Sequence, residues 1–290
     1  MTHVGHVVPD PPPHPPPPPA HQRVSARERW TPVLVSIIST GIVFGLAAWW
    51  ITSSQYWPAF RNSFFSWDHI QASFPQVLRG FWINMRVWVV SGVIIVVVSL
   101  VVAVLRSLTG PVFAPFRVAA IIYVDLLRGL PALLMVLLLG LGVPALQLPG
   151  LPRSNLFWGS VALVASYSAY TAEVYRSGME AVHDSQRAAA KALGLSQWET
   201  LRFAILPQAV RNVTPALLNL AVALQKDVAL LSIIGVREAV REARIYTAQT
   251  FNFSSLTGAA ILFLLASVPM ARFADWYTSR DQKRRLQRTI

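Results

Sequence analysis

Charged side chains interrupt several apolar stretches of this 290-residue sequence. Lys226 and Asp227 lie in one such stretch, Asp125 and Arg128 lie in another, and Glu173 lies near the end of a third. A charge at the centre of a bilayer costs about 2.5–3.5 kcal/mol on insertion scales, so such residues are rarely accidental. In a functional interpretation, Lys226, Asp227 and Glu173 line or brace a solute path. In a structural interpretation, they pair between helices.

The sequence spacing indicates which of these charges can pair on one helix. Asp125 and Arg128 are three residues apart and share a helical face, and Glu173 and Arg176 have the same spacing. The adjacent residues 226–227 point about 100° apart on a helix, so each needs a partner on another helix or in a water-filled cavity. Arg128 and Arg176 also suit a membrane interface, where a long side chain can reach towards water.

A polar loop, residues 177–211, separates two apolar stretches and reads SGMEAVHDSQRAAAKALGLSQWETLRFAILPQAVR. Asp184 or Ser185 can cap a helix, because short polar side chains bond to the free N–H groups of a first turn. This helix is predicted to run to about Leu193. Gly194 then lies just past its end, where a left-handed residue is favoured.

A second helix is predicted to open immediately after this glycine. Ser196 and Glu199 have the spacing of a capping box, in which each side chain bonds to the backbone N–H of the other residue. We predict that the helix ends near Leu206 and that Pro207 begins the next helix, which enters the membrane. The loop would therefore hold two short helices joined at a glycine.

The small and apolar residues of this loop suit contact with a soluble partner. The alanines before Gly194 allow a close approach, and Leu193, Leu195 and Trp198 can anchor in a groove. An amphipathic helix lying on lipid headgroups remains an alternative. The residues assigned to the docking surface are Ala188, Ala189, Ala190, Ala192, Leu193, Gly194, Leu195, Ile205, Leu206 and Pro207.

The composition indicates an integral membrane protein. Hydrophobic residues make up 54% of the chain, the mean hydropathy is +0.47 and only 13% of residues are charged, whereas soluble domains carry roughly 25%. The formal charge of +12 is compatible with nucleic-acid binding, but the basic residues lie mainly between and beyond apolar stretches, so membrane orientation explains them better. The absence of cysteine excludes disulfides, thiol catalysis and Cys-ligated metal.

The predicted fold is an all-α integral membrane protein with six transmembrane helices. A Pro-rich leader precedes them and is expected to be disordered or polyproline II, because it cannot bury a core. The predicted spans are 32–51, 81–105, 118–143, 156–175, 213–234 and 256–276. The predicted divisions are a cytoplasmic leader 1–30, an extra N-terminal helix 31–52, an extracytoplasmic loop with an interfacial helix 53–80, a transmembrane domain 81–277 and a basic tail 278–290.

The distribution of basic residues orients the chain. Six spans place both ends on the same side, and both ends are basic, so the positive-inside rule puts them in the cytoplasm together with the 177–211 loop. Arg237, Arg241 and Arg244 on the opposite side weaken this bias, although Glu238 and Glu242 lie beside them.

Several motifs together resemble one family. The segment ALGLSQWETLRFAILPQAVR resembles the cytoplasmic motif of permease subunits of bacterial ABC importers, and the resemblance covers roughly 81–277. Its aligned positions are Ala188, Ala189, Ala190, Gly194, Ile205, Leu206 and Pro207. The stretches YVDLLRGLP, SYSAYTAEVYRSGMEAV and ALQKDVALLSIIGV are similar to the branch of that family that takes up polar amino acids.

The resemblance implies a five-helix type I permease core, here with one extra N-terminal helix, in the bacterial inner membrane. It further implies a homo- or heterodimer of permease subunits, two cytoplasmic ATPase subunits that hold ATP and Mg²⁺, and an extracytoplasmic solute-binding protein. The chain departs from the family where the motif's glutamate is Ala188, and at 228–229, where small hydroxyl residues are common. Docking would then depend on shape, or on a different permease partner that supplies the glutamate.

The sequence contains no P-loop, no H-E-x-x-H, no G-x-S-x-G and no metal-ligand cluster. We therefore expect a transport subunit that is not an enzyme, binds no metal or cofactor itself and has no nucleic-acid partner. Two other functions stay open at this point. One is a secondary transporter driven by an ion gradient, in which the intramembrane charges bind ions. The other is a membrane scaffold that recruits partners through its Pro-rich leader.

Overall fold

The computed structural model describes residues 26–108 and 110–286, and every regular element among them is helical. The described residues divide into two compact units, of which the first ends at Trp57 and the second begins at Pro58. Predictions for residues 1–25 lie outside the described residues. The last residues of the predicted leader differ from expectation, because a helix begins at Ala26.

The first unit contains a single long helix, α1 (Ala26–Thr52). Its segment Leu34–Thr52 is long and apolar enough to cross a membrane, and its side chains are exposed in the structure. The sequence predicted a span at 32–51, and a helix does occupy this stretch.

The second unit is a bundle of helices of very unequal length. After α2 (Trp57–Phe65), its elements are α3 (Trp67–Ser107), α4 (Ala114–Gly129), α5 (Ala132–Leu137), a π-helical turn (Leu138–Gly142), α6 (Val143–Ala145) and α7 (Asn155–Glu180). They continue with α8 (Asp184–Ala192), α9 (Gln197–Glu199), a second π-helical turn (Thr200–Ile205), α10 (Leu206–Asp227), a 3₁₀ helix (Val228–Ile234), α11 (Ala239–Thr250) and α12 (Ser254–Leu286).

Four helical segments of the described chain are long and apolar enough to cross a membrane, or five if the bent pair formed by α4 and by α5 to α6 counts as one span. The sequence predicted six. The remaining helix, α7, has sufficient length, but serines, tyrosines and charges lower its hydropathy. The prediction of an all-helical protein with several membrane spans is thus confirmed, whereas the predicted number of six spans is not.

The polar helix α7 lies at the centre of the second unit. It packs against α3, α4, α5 and α10, and small residues make this possible. Ala162, Ala169 and Ala172 are fully buried, and Gly178 lies directly against Val213 of α10. Because neighbouring helices bury much of α7, its polar side chains can find partners inside the bundle.

The start of α3 differs from the prediction. The sequence predicted a loop with an interfacial helix at 53–80, followed by a span from 81, but α3 already begins at Trp67 and continues through Pro75. Ser73 and Val77 are buried on this early part, which packs against α11 and α12. Hydropathy misses the segment because it gains its stability from contacts with protein rather than from apolarity.

The predicted interruption of the third span is present and large. α4 ends at Gly129, α5 begins at Ala132, and the two helical parts are bent by 103°. Pro131 lacks an N–H group and disfavours a helical conformation at the preceding residue, which explains the break.

The last helix, α12, continues to Leu286, so most of the predicted tail 278–290 is helical.

A buried glutamate joins the first turn of α11 to α3. Glu238 and Asn84 are both fully buried, and Asn84 Nδ2 donates to Glu238 Oε2 at 2.9 Å. The Glu238 carboxylate also accepts the backbone N–H groups of Val240 at 3.1 Å and Arg241 at 2.7 Å, so it caps α11. Burial raises the pKa of Glu238, although these donors favour its charged form.

The same contact requires a glycine on α3. A Cβ atom on Gly80 would lie 2.6 Å from the carbonyl carbon of Glu238 and 2.7 Å from the backbone nitrogen of Ala239. These are backbone atoms, which cannot rotate away as a side chain can. Gly80 therefore fixes how closely the 235–238 segment approaches α3.

Candidate functional site

The 177–211 loop contains the helix that the sequence predicts, with a different cap. α8 begins at Asp184, and the residue that caps it is His183, whose Nδ1 accepts the backbone N–H of Ser185 at 3.3 Å. The prediction that Asp184 or Ser185 provides the cap is therefore wrong by one or two positions. Asp184 is instead the first helical residue, where its negative charge interacts favourably with the helix dipole.

Gly194 ends α8 in the predicted left-handed conformation, with φ of +79°. Its N–H donates to Lys191 O at 2.9 Å, and the N–H of Leu195 donates to Ala190 O at 3.1 Å. These two bonds form a Schellman motif. Nothing lies within 4 Å of the position that a Cβ on Gly194 would take, so this turn faces open space.

The second loop helix opens with the predicted capping box. Ser196 Oγ accepts the N–H of Glu199 at 3.3 Å, and Glu199 Oε2 accepts the N–H of Ser196 at 2.9 Å. The helix does not end near Leu206, however. It continues through the π-helical turn into α10, with Pro207 in the first turn of α10. Proline has no backbone N–H group to donate, and it is tolerated there because the hydrogen-bond pattern changes between the π-helical turn and the first turn of α10.

The predicted docking residues divide by exposure. The side chains of Leu193 and Trp198 are 81% and 52% exposed, and Phe203, which is outside the predicted set, is 64% exposed. Ala190 and Ile205 are buried, so they support the loop from inside and are not available to a partner. Leu195 and Leu206 are half-buried, and the exposed members are Ala188, Ala189, Ala192, Leu193, Gly194 and Pro207.

Glu173 lies at the centre of a charged cluster that joins three helices. Its Oε2 accepts from Arg106 Nη1 of α3 at 2.7 Å, and its Oε1 accepts from Arg176 Nε at 2.9 Å. Arg128 Nη1 of α4 lies 3.6 Å from Glu173 Oε2. Arg176 also pairs with Glu180. One carboxylate thus connects α3, α4 and α7, and the predicted pairing of Glu173 with Arg176 is confirmed.

The predicted pairing of Asp125 with Arg128 is not observed. Asp125 is exposed, and no ion pair to it occurs in the described part of the chain. Arg128 is at the last turn of α4, beside the bend, and its guanidinium points across to α7. Tyr170 Oη of α7 also donates to the carbonyl oxygen of Arg128 at 3.1 Å. Contacts between helices therefore outweigh the local i,i+3 contact.

The adjacent charges of α10 have different surroundings. Asp227 Oδ2 accepts from Tyr167 Oη of α7 at 2.8 Å, so Asp227 has the partner on another helix that the sequence predicts. Lys226 is exposed and has no ion pair among the described residues. Lys226 thus lies on the exposed surface of α10, and Asp227 lies on the surface that contacts α7.

Helices α7 and α10 also carry buried polar atoms without partners. Ser166 Oγ, Thr171 Oγ1 and both amide atoms of Gln225 are buried and lack a hydrogen-bond partner among the described residues. A crevice of about 40 Å³ is lined in part by Tyr167 and Thr171, which is enough room for an ordered water. The interface of α3, α7 and α10 therefore has unused hydrogen-bonding capacity.

Sequence reasoning missed two members of these clusters, Arg106 and Tyr167. Each is separated from its partner by at least 60 residues, so no local spacing connects them. The only available signal was the density of serines and tyrosines in SYSAYTAEVY, which is unusual for a lipid-facing helix. Within the described residues, no group of His, Cys, Asp and Glu side chains could hold a metal ion.

Comparisons with known proteins agree in one family. Residues 107–281 match the binding-protein-dependent transport system inner membrane component family. The chain is 33% identical over 180 residues to the arginine transport system permease protein ArtQ of Bacillus subtilis, a match that covers 62% of this chain and 80% of that protein. It is 28% identical over 201 residues to the glutamine transport system permease protein GlnP of Escherichia coli, covering 69% and 90%.

Solved structures show the same fold. A chain from an amino acid ABC transporter crystallised with histidines has a TM-score of 0.64 and 27% identity, and the match covers 71% of this chain and 94% of that one. A chain of the MetNI methionine ABC transporter has a TM-score of 0.61, with 72% and 97% covered; at 17% identity it is similar in fold alone. The family match and the relatives named as transport system permease proteins show that this chain is a transport subunit. It belongs to the family of inner membrane components of binding-protein-dependent transport systems.

Proposed function

We propose that this permease subunit imports a polar amino acid, or a similar small polar solute, which an extracytoplasmic binding protein delivers and ATP hydrolysis drives. Relatives named for arginine and glutamine transport support the solute class. The observation that carries the proposal is the rigid, exposed turn at Gly194 inside the family region. The family match and the relatives named as amino-acid permeases favour this function over the ion-driven transporter and the scaffold.

The proposed topology has six spans, with α7 as the span that burial stabilises. Both termini and the 177–211 loop lie in the cytoplasm, and the permease domain extends over 81–277. The extra helix 31–52 and the leader 1–30 precede that domain.

We further propose that the 177–211 loop docks on a cytoplasmic ATPase subunit, which holds ATP and Mg²⁺. Leu193, Trp198 and Phe203 supply exposed apolar anchors, and the Schellman turn at Gly194 holds the first of them rigidly. Ala188 offers no carboxylate, so docking depends on shape. Because the loop helix continues into α10 without a break, movement of the ATPase reaches the membrane through backbone hydrogen bonds.

The solute path is proposed to follow the interface of α3, α7 and α10. Tyr167, which donates to Asp227, lines a crevice there together with Thr171. Thr171 and Gln225 also have free hydrogen-bonding capacity. Glu173 with its arginines braces the same helices, including Arg128 at the end of α4. Lys226 and Asp125 are exposed in the single chain, where a second permease subunit or the solute can reach them.

Purification of the tagged chain from its host, followed by mass spectrometry, tests the ATPase contact. Gly194→Trp is expected to reduce co-purified ATPase at least fivefold, because a bulky side chain in the left-handed turn obstructs the docking surface. Gly150→Trp is the matched control, since Gly150 has φ of +81° and open space around it but lies in a different loop.

Two outcomes would contradict the proposal. If equal amounts of ATPase co-purify with the wild-type chain and with Gly194→Trp, and both samples are monodisperse, docking at this turn is excluded. Absence of any ATPase from the wild-type sample under several mild detergents removes the importer function itself.

A further inference from the structure

The arginines around α11 oppose the charge bias that orients the chain. In the proposed topology, Arg237, Arg241 and Arg244 lie outside the cell, where basic residues are usually scarce. The structure accounts for one of them, because Arg237 Nε and Nη2 donate to the Glu242 carboxylate at 2.7 and 3.1 Å. Arg241 and Arg244 have no ion pair among the described residues.

The two remaining arginines lie on the face of α11 that is turned away from the bundle, where Arg244 is exposed and Arg241 is half-buried. We call it the free face. Ala239, Glu242 and Ala243 are buried on the opposite face, which packs against α3 and α12. Arg241 and Arg244 are three residues apart and therefore neighbours on the helix surface. The nearby carboxylate of Glu238 is buried against α3 and capped, so the free face retains a net positive charge.

An exposed aromatic residue ends this helix. Phe251 follows α11 with φ of +52°, a conformation that is unfavourable for a bulky residue. Its side chain is nevertheless 86% exposed, so packing inside the chain does not explain a phenylalanine here.

The backbone around Phe251 is fixed on both sides. Its N–H donates to Thr247 O at 2.8 Å, and the N–H of Phe253 donates to Ser63 O at 2.8 Å. Asn252 Nδ2 donates to Asn62 O at 2.9 Å. The aromatic ring is therefore presented to its surroundings from a rigid turn, next to the arginine face.

We infer that the free face of α11 and Phe251 form a docking surface for an acidic patch on the extracytoplasmic binding protein. Phe251 inserts into a pocket of that protein, and Arg241 and Arg244 pair with its carboxylates. Aromatic and arginine side chains are the residues that most often dominate binding at interfaces. A preorganised turn also reduces the entropy that binding would cost. This inference rests on the proposed function.

The test uses the purified permease–ATPase complex in neutral phosphatidylcholine vesicles. The probe is the purified binding protein of the same host that stimulates ATP hydrolysis by the wild-type complex. The double variant Arg241→Glu with Arg244→Glu is expected to raise the half-maximal binding-protein concentration about tenfold at low salt. The shift should shrink at high salt, because screening weakens exposed charges. Arg272→Glu, an exposed arginine of α12, is the control and should change nothing.

Phe251→Gly separates docking from a structural role. Glycine adopts a positive φ without strain, so the thermal stability of the variant should equal or exceed that of wild type. Its half-maximal binding-protein concentration should nevertheless rise about fivefold. A residue with only a structural role would leave that concentration unchanged.

Three results would overturn the inference. If both variants keep the half-maximal binding-protein concentration of wild type, the binding protein does not dock on this surface. If the shifts occur only after anionic lipid is added to the vesicles, the face binds lipid instead. If no binding protein stimulates even the wild-type complex, the proposed function fails and this inference fails with it.

Discussion

Gly80→Ala is expected to destabilise the protein by about 3 kcal/mol, at the upper end of the range for overpacking. The added Cβ would lie 2.6 to 2.8 Å from three backbone atoms of Glu238 and Ala239, so α11 and α3 must move apart. That movement also stretches the buried hydrogen bond between Asn84 and Glu238, at 2.9 Å. The measurement is the temperature at which the detergent-purified chain loses its monodisperse gel-filtration peak.

Gly92→Ala is the matched control on the same helix. There the added Cβ would meet Leu224 Cδ2 at 4.0 Å, an ordinary contact, and alanine favours a helix by up to about 1 kcal/mol over glycine. This variant should therefore keep or raise the transition temperature. Equal temperatures for the two variants would show that α3 and the 235–238 segment can separate freely.

Glu173→Gln is expected to cost about 2 kcal/mol and to abolish most ATP-dependent uptake. The side chain of Arg106 is only 13% exposed, and removal of its charged partner leaves a nearly buried cation without compensation. The full penalty for a buried pair is larger, but Glu173 is 21% exposed, so water recovers part of the loss. Thermal stability and solute uptake into vesicles measure the two effects.

Glu180→Gln serves as the comparison for Glu173→Gln. Glu180 belongs to the same helix and pairs with the same Arg176, but its side chain is 62% exposed. Exposed ion pairs contribute about 0–1 kcal/mol, so this variant should behave like wild type. If both variants lost the same stability, the contacts with α3 and α4 would contribute nothing, and Glu173 would only extend a surface ion pair.

The elements that could be predicted from sequence are those whose signal is local. The turn at Gly194 and the capping box at Ser196 and Glu199 depend on residues within five positions of one another, so their types and spacing suffice. The apolar spans were recognisable for a similar reason, since about twenty consecutive residues carry the signal. The early start of α3 at Trp67 was missed because its stability comes from α11 and α12.

The charged clusters show where local reasoning ends. The i,i+3 rule paired Asp125 with Arg128, but it considers one helix alone and ignores α7, which provides Glu173. Arg106 lies 67 residues from Glu173, and no propensity connects residues so far apart. The pairing follows only from the way in which α3 and α7 pack. The same holds for Tyr167 and Asp227, which meet because α7 lies next to α10.

The central position of α7 has a consequence for biogenesis. Segments enter the bilayer from the translocon according to their own apolarity, and α7 is more polar than the membrane-spanning stretches that include α3 and α10. We expect α7 to be retained at the protein-conducting channel until α3, which is synthesised earlier, offers its buried face. Helix assembly would then precede full membrane integration. Substitutions that loosen the contact of α3 with α7 would first appear as degradation of newly made chains, before any loss of transport by mature protein.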